Sequence, residues 1–328
     1  MSYDNLKLEK GLYTTGRSFT DALEAIDPSE NYIGTELEGL DAYQRQLKRY
    51  NIKVSGKGSD CVSKFFATTD SSALFPEYVA RAVRQGLEEV DIVDKITAST
   101  TIIDSLDYRA IESVPTDEDK EIKDIIEGAF IPTTEIKTKD KLTKLKKHGR
   151  MLVASYEALK FQKLDVFTVA LKQIGAYISH CQVNDAIEVL TENIQTVDKE
   201  VQGNFTYSDL INLWSEFEPY KLTTILANKQ TIAQFLNMSE FKDSAAGLNF
   251  HGTGNMITPF GAQLVKMNFP EAEDAIIGLD KRYALEKVQA GDIVTDFDKL
   301  IDRQLERATI TSISGFSTIF DNAVKALL

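Results

Sequence analysis

The sequence is poor in the residues that support metal, redox and hydrolytic chemistry. It contains two cysteines, Cys61 and Cys181, and three histidines, His148, His180 and His251. Two cysteines so far apart give no disulfide framework. The histidines are also far apart, and none has Asp, Glu, His or Cys partners at the spacing of metal ligands or catalytic groups. We therefore expect no metal site, no cofactor and no catalytic residues.

Long apolar runs and a net positive charge are absent as well. No run approaches the roughly 20 apolar residues that span a bilayer, and the first residues have neither the pattern of a secretory signal nor that of a transit peptide. The net charge of −13 argues against a protein that grips nucleic acid over its whole surface, because phosphate neutralisation needs clustered Lys and Arg. We expect a protein without membrane contact that is made and folds in a cytoplasm.

The overall amino-acid composition is that of an ordinary soluble protein. Apolar residues make up 43% and charged residues 27% of the 328 positions. This length suffices for one large or two medium domains with a sizeable core.

The most unusual stretch separates acidic from basic residues. Residues 112–127 hold seven acids against two lysines, and residues 135–150 hold seven bases against two acids. The turn-prone Gly128–Pro132 lies between them. Because the two limbs carry too little apolar surface to bury themselves, we predict a long hairpin that projects toward a neighbouring subunit. The candidates for contacts between subunits are the charged residues Glu118, Asp119, Glu121, Lys137, Lys139, Lys141, Lys144, Lys146, Lys147 and Arg150.

Two ligand-binding interpretations of the sequence have less support than the contact between subunits. The basic limb could contact nucleic acid, but Phe130 is the one aromatic residue nearby and the acidic limb lies directly upstream. The segment from Gly252 to Gly261 superficially resembles a phosphate-binding loop. It lacks the Lys-Ser/Thr pair of a P-loop, and Pro259 interrupts any helix that follows, so an ordinary loop is favoured.

A long helix is predicted directly after the hairpin, at Lys163–Asn193. It would extend roughly 45 Å. Apolar residues recur along one side at Leu164, Phe167, Leu171, Ile174, Ile178, Cys181 and Leu190. The pattern favours a helix packed on a sheet over a coiled coil, because it does not persist over enough heptads.

The remaining elements indicate an α+β protein. Residues 1–72 predict short helices joined by extended chain that lies along other surfaces. Further helices are predicted at 18–26, 39–50, 77–89, 207–217 and 229–235. Strands are predicted at 96–103, 150–155, 222–227, 275–280, 283–288 and 309–313. The alternation beyond residue 200 indicates a mixed α/β domain to about residue 290.

Four short sequence elements carry a resemblance to a known family. They are Phe75-Pro76 at the start of a helix, Glu127-Gly-Ala-Phe-Ile-Pro132 in the charged loop, Lys146-Lys-His-Gly-Arg150 in its return, and Ser155-Tyr-Glu157 before the long helix. In this order the chain resembles the major capsid proteins of tailed bacteriophages with the Hong Kong 97 fold. The resemblance covers the whole chain, although beyond residue 200 it rests on the order of elements.

The resemblance implies an α+β fold of the Hong Kong 97 type. Its parts would be an N-terminal arm at 1–73, the start of a peripheral domain at 74–103, an extended loop at 104–148, the peripheral domain with its spine helix at 149–199, an axial α/β domain at 200–291, and the C-terminal part of the peripheral domain at 292–328.

The resemblance also implies a function in the virion rather than an enzymatic activity. Members of the family self-assemble as pentamers and hexamers into an icosahedral shell around double-stranded DNA, without sequence-specific DNA binding. Portal, scaffolding and decoration proteins are the expected partners, and assembly takes place in the cytoplasm of a bacterial host. Some members join a loop lysine to an asparagine, and Lys137, Lys139 and Lys141 are the candidates here. No scaffolding segment precedes the arm, so we expect a separate scaffolding protein or a removed segment.

Two alternatives remain open from the sequence. Encapsulins share the fold and build bacterial compartments around protein cargo. A soluble α/β enzyme is the third hypothesis, and it would need a convergent polar site that the sequence does not reveal. A neighbouring gene for a terminase or portal would favour the phage protein, and a gene for a cargo enzyme would favour the encapsulin.

Overall fold

The computed structural model describes residues 3–14, 18–90, 92–112, 124, 127, 137–192, 194–198, 205–242, 256–267, 275–300, 302 and 304–327. Its helices are α1 (Phe19–Ile26), α2 (Ala42–Arg49), α3 (Thr69–Ser72), α4 (Phe75–Val90), α5 (Val93–Ile96), α6 (Tyr156–Phe161), α7 (Leu164–Thr191), α8 (Tyr207–Ser215), α9 (Lys229–Asn237) and α10 (Ser239–Lys242). Its strands are β1 (Ser99–Ile103), β2 (Ile111–Glu112), β3 (Lys137–Thr138), β4 (Leu145–Ser155), β5 (Gln195–Val197), β6 (Thr224–Ala227), β7 (Gln263–Lys266), β8 (Ile276–Leu279), β9 (Leu285–Ala290), β10 (Val294–Leu300), β11 (Leu305–Thr318) and β12 (Val324–Leu327).

The chain forms two compact units, each built from three separate segments. The first unit comprises Met1–Val90, Lys147–His180 and Gly291–Ile313, and the second comprises Asp91–Lys146, Cys181–Ala290 and Ser314–Leu328. Residues predicted to form the C-terminal part of one domain are thus shared between the two units. The predicted arm, loop, peripheral and axial boundaries stay predictions. Among the described helices, none is both long enough and apolar enough to cross a bilayer.

The N-terminal segment consists of short helices with side-chain caps. The Ser18 side chain accepts a hydrogen bond from the Asp21 backbone N–H at the start of α1, and Asp41 and Gln44 form a capping box at the start of α2. The apolar side chains of the segment are buried in the core of the first unit together with α4: Leu8, Phe19, Leu23, Tyr43, Leu47, Ile52, Val62 and Phe65. The segment therefore packs along other elements of its own unit.

Helices α4 and α7 cross at two glycines. A Cβ atom on Gly175 would overlap the backbone carbonyl of Val83, and a Cβ atom on Gly86 would overlap that of Lys172. The two backbones therefore approach more closely than larger residues permit. This crossing fixes the first half of α7 in the core of the first unit.

The first unit contains part of a sheet with one buried face and one open face. Strand β10 pairs antiparallel with β11, and β4 also pairs with β11. Because side chains alternate along a strand, Leu152 of β4 and Ile310 of β11 join the core. Met151, Val153 and Val294 are about half exposed on the other face. We call these three residues the open sheet face.

The second unit contains both helices and strands. Its sheet has the order β5-β12-β8-β6-β7, and β6 and β8 are fully buried. Ile225 packs with the apolar faces of α8 and α9, whereas Leu226 packs with the second half of α7. The sheet is therefore covered on both faces, as expected when the central strands β6 and β8 consist mainly of apolar residues.

A buried carboxylate holds the turn after β8. Asp280 is fully buried and accepts hydrogen bonds from the backbone N–H groups of Lys221 (2.9 Å) and Arg282 (3.1 Å), and from the Arg282 guanidinium (2.7 Å). Burial alone would raise the pKa of Asp280, but these donors outweigh it and hold the pKa below its ordinary value of 3.8.

Replacing this carboxylate should make the protein less stable and less sensitive to acid. Because the pKa is lowered in the folded state, Asp280 contributes stability above pH 3.8, and the contribution is lost as the pH falls below that value. We expect Asp280→Asn to lower the free energy of unfolding by about 1–3 kcal/mol at pH 7. The difference from the wild type should shrink below pH 3.8 in urea titrations. The exposed Asp296, changed to Asn, is the control, and an equal loss there would contradict this role.

Several sequence predictions are wrong in detail. Ile96 was predicted in a strand but ends α5, where the Thr97 backbone N–H donates to the Val93 carbonyl, and the strand begins at Ser99. Cys181 was placed on the buried side of the long helix but is exposed. Val183 and the apolar residues that follow it are buried instead, because the buried side of α7 changes along its length. Helices α5, α6 and α10 and strands β5, β7, β10 and β12 were not predicted.

Candidate functional site

The base of the predicted hairpin forms as expected. Strands β2 and β3 pair antiparallel, with Ile111 opposite Thr138. The Lys139 backbone N–H donates to the Ala110 carbonyl at 2.8 Å, and the Thr143 N–H donates to the Tyr108 carbonyl at 2.8 Å. The pairing therefore joins residues 108–112 to residues 137–143. Residues 113–136, which include most of the acidic limb, lie outside the described residues except for two.

Two polar anchors fasten the hairpin base to β9 and β11 within the second unit. The Tyr108 hydroxyl donates to Glu286 Oε1 at 2.7 Å, and the Thr101 hydroxyl donates to the same oxygen at 2.5 Å. The Lys139 ammonium donates to the Thr318 carbonyl at 2.7 Å. Burial and the Glu286 carboxylate both raise the pKa of Tyr108, so the phenol stays protonated and donates. The base of the hairpin is thus held at two points.

Removing the tyrosine anchor should loosen the base without unfolding the subunit. Tyr108→Phe keeps the ring and removes one hydrogen bond to a buried carboxylate, which costs about 1–2 kcal/mol. We expect amide hydrogen exchange over residues 104–112 to become about tenfold faster, measured by mass spectrometry. Tyr283→Phe is the control, because its ring is partly exposed and packs on Tyr220 and Phe320. Unchanged exchange in Tyr108→Phe would mean that the anchor does not hold the base.

The predicted basic contact residues fall into different environments. Lys139 is an anchor, and Lys146 pairs with Asp185 at 2.9 Å and Glu188 at 2.5 Å on α7. The hydrogen bonds that its ammonium donates to Glu188 and Asp185 raise the pKa of Lys146, which therefore stays charged. The side chains that remain exposed are those of Lys137, Lys141, Lys144, Lys147 and Arg150. The acidic candidates Glu118, Asp119 and Glu121 lie outside the described residues.

The hairpin base also exposes apolar side chains that the sequence did not single out. Ile102 is 74% exposed and Leu106 is 64% exposed, and about half of each of Ile111 and Leu142 is exposed. Ile102 lies on β1, Leu106 on the segment that follows it, Ile111 on β2 and Leu142 just after β3. Exposed apolar side chains on such neighbouring segments are candidates for an interaction surface. We call Ile102, Leu106, Ile111 and Leu142 the hairpin patch. The sequence analysis did not identify these four apolar residues, because it selected contact candidates in this region by their charge.

A cavity of about 750 Å³ lies between the hairpin base, the end of α7 and the second half of β11, all within the second unit. Its lining includes Lys139 and Lys146, the acids Asp185 and Glu188, and apolar residues such as Phe316. The two lysines and two acids are already engaged with the protein. The lining also holds Lys141 and Lys144 and the acids Asp140, Glu192 and Asp321, so the cavity mixes charges of both signs.

In the described part of the chain, no group of three or more His, Cys, Asp and Glu residues is placed to hold a metal ion. Cys61 lies near the Phe161 carbonyl in the first unit, and Cys181 is exposed. The features that stand out are instead surfaces: the anchored hairpin, its patch and the open sheet face.

Comparison with known proteins shows what kind of protein has this fold. No family model matches the sequence, and no curated protein matches it. Solved structures do match. The capsid of a native GTA particle has a TM-score of 0.55 and 14% identity, covering 72% of this chain and 88% of that chain.

Two further structures are similar at comparable levels. A virus-like particle from Pyrococcus furiosus has a TM-score of 0.52 and 15% identity, covering 77% of this chain and 98% of that chain. The capsid of the cyanophage P-SCSP1u has a TM-score of 0.50 and 10% identity, covering 72% of this chain and 87% of that chain. The chain therefore has the Hong Kong 97-type capsid fold, as the sequence resemblance implied.

Proposed function

We propose that this chain is the major capsid protein of a tailed bacteriophage, which self-assembles as pentamers and hexamers into an icosahedral shell around double-stranded DNA. The observation that carries the proposal is the hairpin base. It is hydrogen-bonded through Tyr108 and Lys139, yet it exposes the apolar hairpin patch and leads into strongly charged limbs. A fixed element that exposes apolar and charged residues is suited to a neighbouring subunit.

The open sheet face supplies a counterpart of similar character. Met151, Val153 and Val294 are exposed on an otherwise ordered sheet, and the exposed Lys147 lies on the same strand as two of them. In the proposed shell, the hairpin of one subunit covers this face on the next. Each such contact is small, so assembly depends on many weak contacts. Because weak contacts can dissociate, a wrongly placed subunit can leave before the shell closes.

The charge of the chain is compatible with a shell that holds DNA without binding its sequence. With a net charge of −13, the subunit repels phosphate on average, which favours free movement of packed DNA. The proposal therefore includes portal and scaffolding proteins as partners, a decoration protein as a further one, and a virion assembled in a bacterial cytoplasm. It assigns no catalytic role to the chain.

The content of purified particles tests the phage assignment. The chain is expressed together with its neighbouring genes, and particles are isolated by density gradient after nuclease treatment. We expect particles that protect double-stranded DNA from the nuclease. Particles filled with a second protein and free of DNA would contradict the phage assignment and identify an encapsulin. A chain that sediments as a monomer or dimer under every condition would contradict both.

A further inference from the structure

We draw no further inference here: the strongest candidate, the surface patch on the loop between α1 and α2 where Ile33 is 73% exposed beside the exposed acids Glu30, Glu36 and Glu38, carries none because nothing in the structure shows what covers it.

Discussion

Reversing Lys141, Lys144 and Lys147 to glutamate is expected to lower the yield of assembled shells at least about tenfold while the subunit stays folded. All three side chains are exposed, and none of them forms an ion pair within the described subunit. Lys144 is close enough to Glu188 to lower the pKa of that acid, but the stronger cause is Lys146. The three lysines are therefore available to a neighbouring acidic limb, and glutamates would repel it.

Lys146 is left out of this variant for a structural reason. It already pairs with Asp185 and Glu188, so reversing it would place three acids together inside one subunit. The matched control reverses Lys57, Lys229 and Lys281, which are exposed elsewhere and give the same change in net charge. Shell yield is measured by sedimentation and folding by circular dichroism. Full assembly of the hairpin variant, or equal loss in the control, would show that the hairpin charges do not direct assembly.

Gly175→Leu is expected to prevent the first unit from folding. Adding even one methyl group to a helix interior normally stabilises it by about 1 kcal/mol relative to glycine. Here the added Cβ would overlap the Val83 carbonyl on α4, and the backbone cannot move aside without opening the core. Overpacking of this kind costs about 1–3 kcal/mol for a methyl group and more for a larger side chain.

The direction in which Gly175→Ala changes stability separates steric overlap from intrinsic helix propensity. Gly175→Ala should lower the melting temperature by several degrees, although intrinsic propensity alone would raise it. Gly58→Ala is the control, because its Cβ would meet nothing nearer than 4.0 Å. A more stable Gly175→Ala protein would show that the helices do not cross as closely as described.

Local patterns in the sequence were sufficient for the long helix and for the base of the hairpin. The helix predicted at Lys163–Asn193 is observed at Leu164–Thr191, because spacings of three and four residues record the helical repeat directly. The hairpin base follows from two limbs of opposite charge on either side of a turn-prone segment. Both signals lie within a short stretch of chain.

Features that depend on distant pairs could not be predicted in this way. Tyr108 meets Glu286 across 178 residues, and β12 pairs with β8, which lies on the far side of three other strands in the sequence. The glycines at positions 86 and 175 are ordinary in sequence, and their role depends on two helices that cross. Nor could the sequence distinguish Lys146, which is paired within the subunit, from the exposed Lys144 two positions earlier.

Electron microscopy of the purified chain tests the central claim most directly. The protein is expressed alone, concentrated, and imaged in negative stain at several salt concentrations. We expect closed shells, tubes or rings of subunits, because a chain with this fold, an anchored hairpin and exposed apolar faces should associate with itself. A uniform field of small particles at every concentration and salt would contradict self-assembly, and with it the role assigned to the hairpin.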